Sequence, residues 1–595
     1  MPAVRRANQL LTGFGSTVSA QHEEALARMT GDFTMLATGE LTGRHAYALP
    51  CGCGKTIAVR AWCGTLVRAG LPYSVMITAS RIEELDDIYK QLIAEGIPSA
   101  MIGIIHSEPA GHRFTAPTTD NDERQILIVT HMRLKGAGGL DQDALTYRGR
   151  PRDVVLWDEA CIVSSSRSVG HRGLVGAIGW IENVAEEDER LVVLSRWLQR
   201  CRAAIDREKK AQRADPRRKP EPLRLPALTE GQAAGFLAML QTEDLLEPVR
   251  VLIQMHTEQL RLLGSGQGGG GVLTYTITVP PSLSNVAILD ASAHIRELVK
   301  EDPTIHLDEW FRHRTIKQYS RVAIRHLGRS GGRDAMTKEF SKRREDRTLS
   351  KEIAAQIRPL PAGEAVLIFT HKKRGKFDMA EVLRGDLRAF GIDVDAMVPN
   401  PNGPGLVPRF NWLTHGRETA SNHYKHCSHV FFVGTVHLSD VVAAGKLVGQ
   451  RDDLLSHVTR EQIKEVQRSE IANGLYQGLH RAACRDTVDG QAKATTVYVI
   501  LHDRKAIDLV ASLMPGCRVE RWETEAEAEE TKTDMAVRKI VGFLRGLRDG
   551  VDRVSVKIAK AALGSDVTEK VWRRARDRAC TEAGWEASGR SLVRR

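Results

Sequence analysis

The sequence predicts an α/β protein with two parallel-sheet regions, a helical insertion in the first, and a small basic domain at the C-terminal end. Three observations carry this reading. Short Val- and Ile-rich runs alternate with segments of helical spacing, one long stretch has helical spacing alone, and positive charge concentrates in the last 65 residues.

Residues 1–32 read as an N-terminal helical segment, and 33–305 as the first sheet region. There YSVMITA (73–79), ILIVT (126–130) and VVLWDEA (154–160) are buried strands in the making. Such runs alternating with helices argue for βαβ units and a parallel sheet. The stretch 165–271 interrupts the alternation. Its RLVVLSRWLQRCRAAIDREKKAQ and GQAAGFLAMLQTEDLLEPVRVLIQMHTEQLRLL have helical spacing, the connector RADPRRKPEPLRLP is rich in Pro and Arg, and GSGQGGGG (264–271) closes it as a flexible linker. The sheet resumes with VAILDASA (286–293). A second alternating region, 306–521, holds AVLIFTHKK (365–373), HVFFVGT (429–435) and TTVYVIL (495–501), and the acidic WETEAEAEE (522–530) opens the final segment, 522–595. No repeat of solenoid period is present.

At 595 residues the chain exceeds one ordinary core, and three or four domains are expected. Its 42% apolar and 27% charged content excludes the disordered and fibrous classes. No run approaches the ~20 apolar residues of a membrane-spanning helix, and MPAVRRANQLLTGFGS lacks a signal-peptide core, so a cytoplasmic location is expected. Nine cysteines without a CxxC pair fit free thiols in a reducing compartment. The formal charge is +11, and residues 531–595 hold sixteen Lys or Arg against eight Asp or Glu, a net +8 of that total. Such a concentration points to nucleic acid as a partner.

The chemistry begins at ALPCGCGKT (48–56). A phosphate-binding loop uses glycines so that backbone N–H groups close around phosphate, a Lys that reaches the β- and γ-phosphates, and a Ser or Thr hydroxyl on Mg²⁺. Gly52, Gly54, Lys55 and Thr56 supply these parts, although the first glycine of the general pattern is Leu49. About a hundred residues on, the strand VVLWDEA ends in Asp158 and Glu159. A carboxylate at a strand's C-terminal end can hold Mg²⁺, and its neighbour can polarise an attacking water. Cys51 and Cys53 have no companion pair, so they read as spacers and not as metal ligands. A thiol near a helix N-terminus can also have a lowered pKa, which leaves a redox switch as the lesser reading.

With these residues in this order the chain resembles superfamily 2 helicases and translocases of the DEAD/DEAH type, whose loop lacks the leading glycine. The resemblance spans about residues 45–490 and implies two RecA-like lobes with ATP and Mg²⁺ between them. VMITASRIEEL looks like motif Ia and ILIVTHMRL like motif Ib, which carries Thr78, Arg81, Thr130 and His131 over as nucleic-acid contacts. DEAC stands at the signature. LDASA (289–293) resembles the Ser-Ala-Thr motif, with Ala293 at the usual Thr. VLIFTHKK looks like motif IV, with Thr370 and His371 on the nucleic-acid track, and HGRETASNHYKHCSHVFFVG (415–434) looks like motif V. YQGLHRAACR resembles motif VI: Gln477, His480 and Arg481 fit, while Arg485 lies four residues after Arg481 instead of three.

The family's roles, carried over, put Pro50, Cys51, Gly52, Cys53, Gly54, Lys55 and Thr56 around the phosphates. Thr56 and Asp158 would sit on Mg²⁺, and Glu159 on the water. Gln477, Arg481 and Arg485 would reach in from the opposite lobe. Gln21 reads either as an adenine contact or as a solvated helix residue.

At the C-terminal end, TDMAVRKIVGFLRGLRDG, DRVSVKIAKAALGSD and DVTEKVWRRARDRACTEAGW read as three helices, and GWEASGRSLVRR as a hairpin turning at Ser588-Gly589. That is the pattern of a winged helix-turn-helix domain. Val567, Val571, Ala575 and Ala579 would pack inward. Lys570, Arg573, Arg574, Arg576 and Arg578 would remain available to phosphates or base edges. A basic helical bundle docked on the lobes is the alternative. The expected function is a DNA helicase or translocase. An RNA helicase, and an ATPase that remodels or loads replication or plasmid-maintenance partners without unwinding, are the alternatives.

Overall fold

In the computed structural model the first lobe starts with β1 (Gly43–Ala46), β2 (Val75–Ala79), β3 (Ile102–Ile105), β4 (Ile126–Thr130) and β5 (Val154–Asp158). The chain then leaves the sheet for β6 (Ser164–Gly170), β7 (Arg261–Leu263) and β8 (Gly271–Ile277), and returns with β9 (Asn285–Leu289) and β10 (Ile305–Leu307). The structure describes residues 2–594 except 109–112, 137–144, 160, 186–187, 216–217, 241–243, 265–269, 280–282, 402, 417–422, 523, 525–531, 548–550, 562–568 and 590. Residues Met1–Phe340, Pro361–Arg384 and Asp393–Arg521 make one compact unit; Ser341–Leu360, Gly385–Ile392 and Trp522–Arg595 make another.

The first sheet runs β10-β1-β9-β5-β2-β4-β3, with every pair parallel. Its inner strand β2 is buried at all five positions, which is why the run is apolar without alternation. Because β1, β9 and β5 are neighbours, ALPCGCGKT, LDASA and the Asp158-Glu159 pair emerge together at the carboxyl end of the sheet. Ligands bind at that end in open α/β folds.

The second lobe of the same unit consists of β11 (Val322–Leu327), β12 (Ala365–Thr370), a hairpin of β13 (Met397–Pro399) and β14 (Leu406–Pro408), β15 (Phe410–Thr414), β16 (Cys427–Phe432), a small hairpin of β17 (Thr487–Val488) and β18 (Gln491–Ala492), β19 (Thr495–Ile500) and β20 (Arg518–Arg521). Its sheet order is β15-β12-β16-β19-β11-β20, again all parallel. The two sheets are the two RecA-like lobes.

The insertion differs from its expected helical character at both ends. Helices His171–Val184, Glu189–Ala214, Glu230–Met239 and Glu247–Gln254 enclose a separate core around Trp197, Phe236 and Leu252. Its start and finish, however, are strands of an antiparallel β6-β8-β7 sheet. SSSRSVG is unreadable as a strand in the sequence because only Ser164 and Val169 of β6 are buried. This sheet lies against the second-lobe helix Asp440–Gln450. A Cβ at Gly445 would stand 3.1 Å from Ser166 Cβ, and one at Gly449 would stand 2.5 Å from Ser164 Oγ. The insertion therefore leaves the first lobe in sequence but packs on the second.

In the other unit, helix Lys532–Arg545, β21 (Arg553–Ser555), helices Val556–Ala561 and Glu569–Ala583, and the hairpin β22 (Trp585–Ser588) and β23 (Ser591–Arg594) surround a core that includes Trp572, Ala575, Ala579 and Trp585. The antiparallel sheet order is β21-β23-β22. Ala575 and Ala579 are buried and Val571 is partly so; Val567 lies outside the described residues. Among the described residues no helix is long and apolar enough to cross a membrane.

Candidate functional site

A cleft of about 340 Å³ opens at the carboxyl ends of the first sheet, where the second lobe closes over it. Gly52 and Gly54 have φ of +82° and +86°, the left-handed region that favours glycine, and helix Lys55–Arg68 starts directly after them. That leaves a turn of backbone N–H groups and a helix N-terminus facing the cleft, an arrangement suited to phosphate. Cys51, Gly52, Gly54, Lys55 and Thr56 line it; Pro50 and Cys53 do not. Lys55 Nζ donates to Leu49 O at 3.1 Å, so the ammonium already leans along the loop. Cys53 is fully buried and burial raises its thiol pKa, the opposite of the activation a redox switch requires.

Asp158 and Glu159 face this loop. Burial raises the Asp158 pKa, and burial together with the Asp158 and Glu84 carboxylates pushes Glu159 up to about 8. Glu159 adopts φ +64°, a strained conformation for a side chain of its size, held at the very position expected to act on water. Glu84, overlooked in the sequence, also lines the cleft and caps its own helix by accepting from the N–H of Ser80 and of Arg81.

From the second lobe, helix Arg460–Leu479 delivers Gln477 at its last turn, and Arg481 follows its end. A short 3-10 turn, Ala483–Arg485, takes up the extra residue of the spacing, and Arg485 lines the cleft beside Arg481. Arg481 is 6% exposed, its Nη2 stands 3.9 Å from Glu159 Oε1, and its Nε has no partner among the described residues. Burial and the neighbouring Arg485 charge lower its pKa. Two guanidiniums and the Lys55 ammonium lining one cleft, with Arg481 Nε unpartnered among the described residues, fit a polyphosphate. His480, by contrast, is buried away from the cleft, 2.9 Å from Tyr319 Oη.

LDASA ties the lobes together. Ser292 Oγ lies 2.6 Å from Asp290 Oδ1 and 2.7 Å from Asn473 Oδ1, and Arg296 donates to both oxygens of Glu470 at 3.0 and 2.9 Å. Asn473 and Glu470 sit on the helix that carries Gln477.

The expected nucleic-acid positions divide. Arg81 donates to Gly416 O of the second lobe at 3.1 Å, and Thr130 Oγ1 accepts from Arg133 N at 3.1 Å; both are partly exposed. Thr78, Thr370 and His371 are buried, and His131 stacks on Trp157 with ring centroids 4.5 Å apart. Thr78 and Thr370 turn inward on strands that are buried along their length, His371 is buried directly after the second of these, and His131 is half-buried at the start of helix His131–Gly136. Motif V residues 417–422 lie outside the described residues. Arg573 and Arg574 are exposed on helix Glu569–Ala583; Arg573 approaches Glu569 at 3.3 Å, and Arg574 has no ion-pair partner among the described residues. Arg578 is held by Asp534 and Glu582.

Gln21 is exposed and outside the cleft. The N-terminal segment instead contributes Leu11, Phe14 and Ser16 to a lining that also includes Asp87 and Gln91. No short signal distinguishes Phe14, whose placement depends on how the first helix folds back over the loop.

A Cβ on Gly52 would fall 1.8 Å from Arg485 O. Gly52→Ala is therefore expected to drive the loop and the arginine turn apart. Turnover of a polyphosphate at this cleft should fall at least about tenfold, the effect of roughly 1.4 kcal/mol on the barrier, as read from kcat.

No protein-family model matches the chain, and no curated protein matches it. Among solved structures it is similar to XPD in its apo form, at 13% identity and a TM-score of 0.45, over 84% of this chain and 100% of that one. It is also similar to Saccharomyces cerevisiae Dbp5 bound to RNA and ADP BeF3, at 10% identity and 0.36, over 93% and 99%. A third is the Escherichia coli DEAH/RHA helicase HrpB, at 10% identity and 0.33, over 88% and 46%.

Proposed function

We propose that this chain is an ATP-driven helicase or translocase of superfamily 2, acting on DNA. The observation that carries the proposal is the meeting of Lys55, Asp158 and Glu159 from one lobe with Arg481 and Arg485 from the other around one cleft. A site split between lobes hydrolyses only when the lobes close, so each turnover can be converted into relative motion.

Lys55 and the Gly52–Gly54 backbone hold the β- and γ-phosphates of ATP. Mg²⁺, held by Thr56 and Asp158, would neutralise charge on the phosphate oxygens. Glu159 orients water and accepts its proton. Arg481 stabilises the charge spread over the transferring phosphoryl, with Arg485 beside it, and Gln477 bridges the lobes. Phe14 and Ser16 line the same cleft from the N-terminal segment.

The proposal favours DNA because of the C-terminal elements: three helices and a hairpin in winged-helix order, with Arg573 and Arg574 exposed on the third helix. Arg81 and Thr130 are the lobe residues open to a strand; Thr78, His131, Thr370 and His371 would shape its loops from inside. Truncation before residue 531 is expected to weaken duplex binding. It should also flatten the salt dependence, by ~0.9 in log–log slope for each phosphate the shortened chain no longer neutralises. Unchanged affinity and slope would assign the tail another task.

ATPase rates measured side by side with single-stranded DNA, duplex DNA and RNA test the whole reading. Strongest stimulation by DNA supports it. Stimulation by RNA alone selects an RNA helicase, and stimulation without unwinding of forked substrates selects a remodelling ATPase.

A further inference from the structure

Lys317 is only 1% exposed, an unusual position for an ammonium unless its donors are all but satisfied. Its Nζ donates to Cys51 O at 3.0 Å and to Arg485 O at 2.9 Å, and lies 5.2 Å from the centroid of the Tyr319 ring. Cys51 belongs to the phosphate loop of the first lobe, and Arg485 to the arginine turn of the second. The backbone beside Lys317 is fixed to the second lobe: Gln318 N donates to Gly490 O at 2.8 Å and Tyr319 N to Pro515 O at 2.7 Å. Lys317 therefore moves with the second lobe while bonding a carbonyl of the first.

The other side of the same residue is held in the same way. Cys51 N donates to Tyr476 Oη at 3.4 Å, so second-lobe side chains engage both the N–H and the C=O of Cys51. The tight approach of Gly52 to the Arg485 carbonyl completes the contact. Lys317 itself does not line the cleft, so it reaches the reaction only through these peptides.

We propose that Lys317 is a positioning residue, a cross-lobe latch that holds the Cys51 peptide against the Arg485 turn and so sets the phosphate loop and the arginines in register on closure. The proposal rests on the ATPase reading above. Lysine suits the place because a compact ammonium with three rotatable donors can serve two carbonyls converging from different lobes, whereas a planar guanidinium presents a fixed fork. Separation of the lobes breaks the charge-assisted bond to Cys51 O and leaves the one to Arg485 O within the second lobe, which makes loss of the cross-lobe bond a property of opening and not of either lobe alone.

The test is Lys317→Met, which keeps length and removes the donors, in the full-length protein. Three readouts are taken: nucleic-acid-stimulated kcat, ADP affinity, and the distance between a donor–acceptor dye pair placed on the two lobes, with and without a non-hydrolysable ATP analogue. A latch predicts at least a tenfold fall in kcat, ADP affinity within threefold of the wild type, and an analogue-bound population shifted from closed to open. Wild-type kcat and closure in the folded variant would overturn it, as would an ADP loss equal to the kcat loss, which marks collapse of the loop itself. If Lys317→Met does not fold, Tyr476→Phe decides, because it deletes only the hydroxyl at Cys51 N. A smaller shift of kcat and closure in the same direction supports the latch, and none overturns it. A wild-type protein without ATPase activity would refute the parent reading, while the interlobe distance would still report on the latch.

Discussion

Lys55→Ala is expected to abolish measurable ATP turnover while leaving nucleic-acid affinity close to that of the wild type. Lys55 starts the helix that follows the loop, its ammonium lines the cleft, and its resting hydrogen-bond partner among the described residues is the Leu49 carbonyl 3.1 Å away. It is thus free to exchange that neutral partner for phosphate oxygens. Loss of one preorganised charge at a transferring group typically costs ~10²–10³ in rate, and Lys55 also contributes to holding the substrate. The expected nucleic-acid contacts, Arg81 and Thr130 on the lobe and Arg573 and Arg574 in the other unit, lie on separate elements, so binding should persist. A phosphate-release assay beside a filter-binding titration reads both quantities. Wild-type turnover in the variant would remove the assignment of the cleft as an ATPase site.

The strands legible in the sequence are those buried on both faces. ILIVT and AVLIFT are buried along nearly their whole length, so their composition alone declares them. GRHA, at β1, is short and half-buried in alternation, and β20 is an edge strand with none of its four residues fully buried; neither has an apolar run to read. The insertion's Ser-rich β6 is hidden for the same reason.

At the site, residues whose chemistry restricts them to a few types, such as Gly52, Lys55 and Asp158, are legible from type and spacing. Lys317 is not, because its partner Cys51 is 266 residues away and only topology brings them together. Position at a strand end also does not reveal direction. Thr78 and Thr370 occupy expected places, but their side chains turn into the lobes. The four-residue spacing to Arg485 raises a question of register that only the end of the helix at Leu479 and the 3-10 turn after it can answer.

Arg481→Ala should lower ATP turnover by ~10³–10⁵, the range of an arginine supplied to a phosphoryl transition state, while nucleotide affinity falls far less. The asymmetry follows from where the side chain sits. The loop proposed to bind the phosphates belongs to the first lobe and does not depend on Arg481 for its own glycine turns. The guanidinium comes from the second lobe, almost wholly buried, with Nε unpartnered among the described residues and with Glu159 as a distant counter-charge at 3.9 Å. Such a group is held at a cost in desolvation, beside the like charge of Arg485, and is compensated only when negative charge develops within reach. Its contribution therefore belongs to the transition state, and its deletion should appear in kcat and not in the ground-state complex. Removing it also leaves Glu159 facing the Asp158, Glu84 and Asp290 carboxylates with one cation fewer, which raises its pKa further and adds to the fall in turnover near neutral pH. Single-turnover hydrolysis measured alongside equilibrium binding of a non-hydrolysable ATP analogue separates the two effects; equal losses in both would mean that Arg481 serves binding and is no finger.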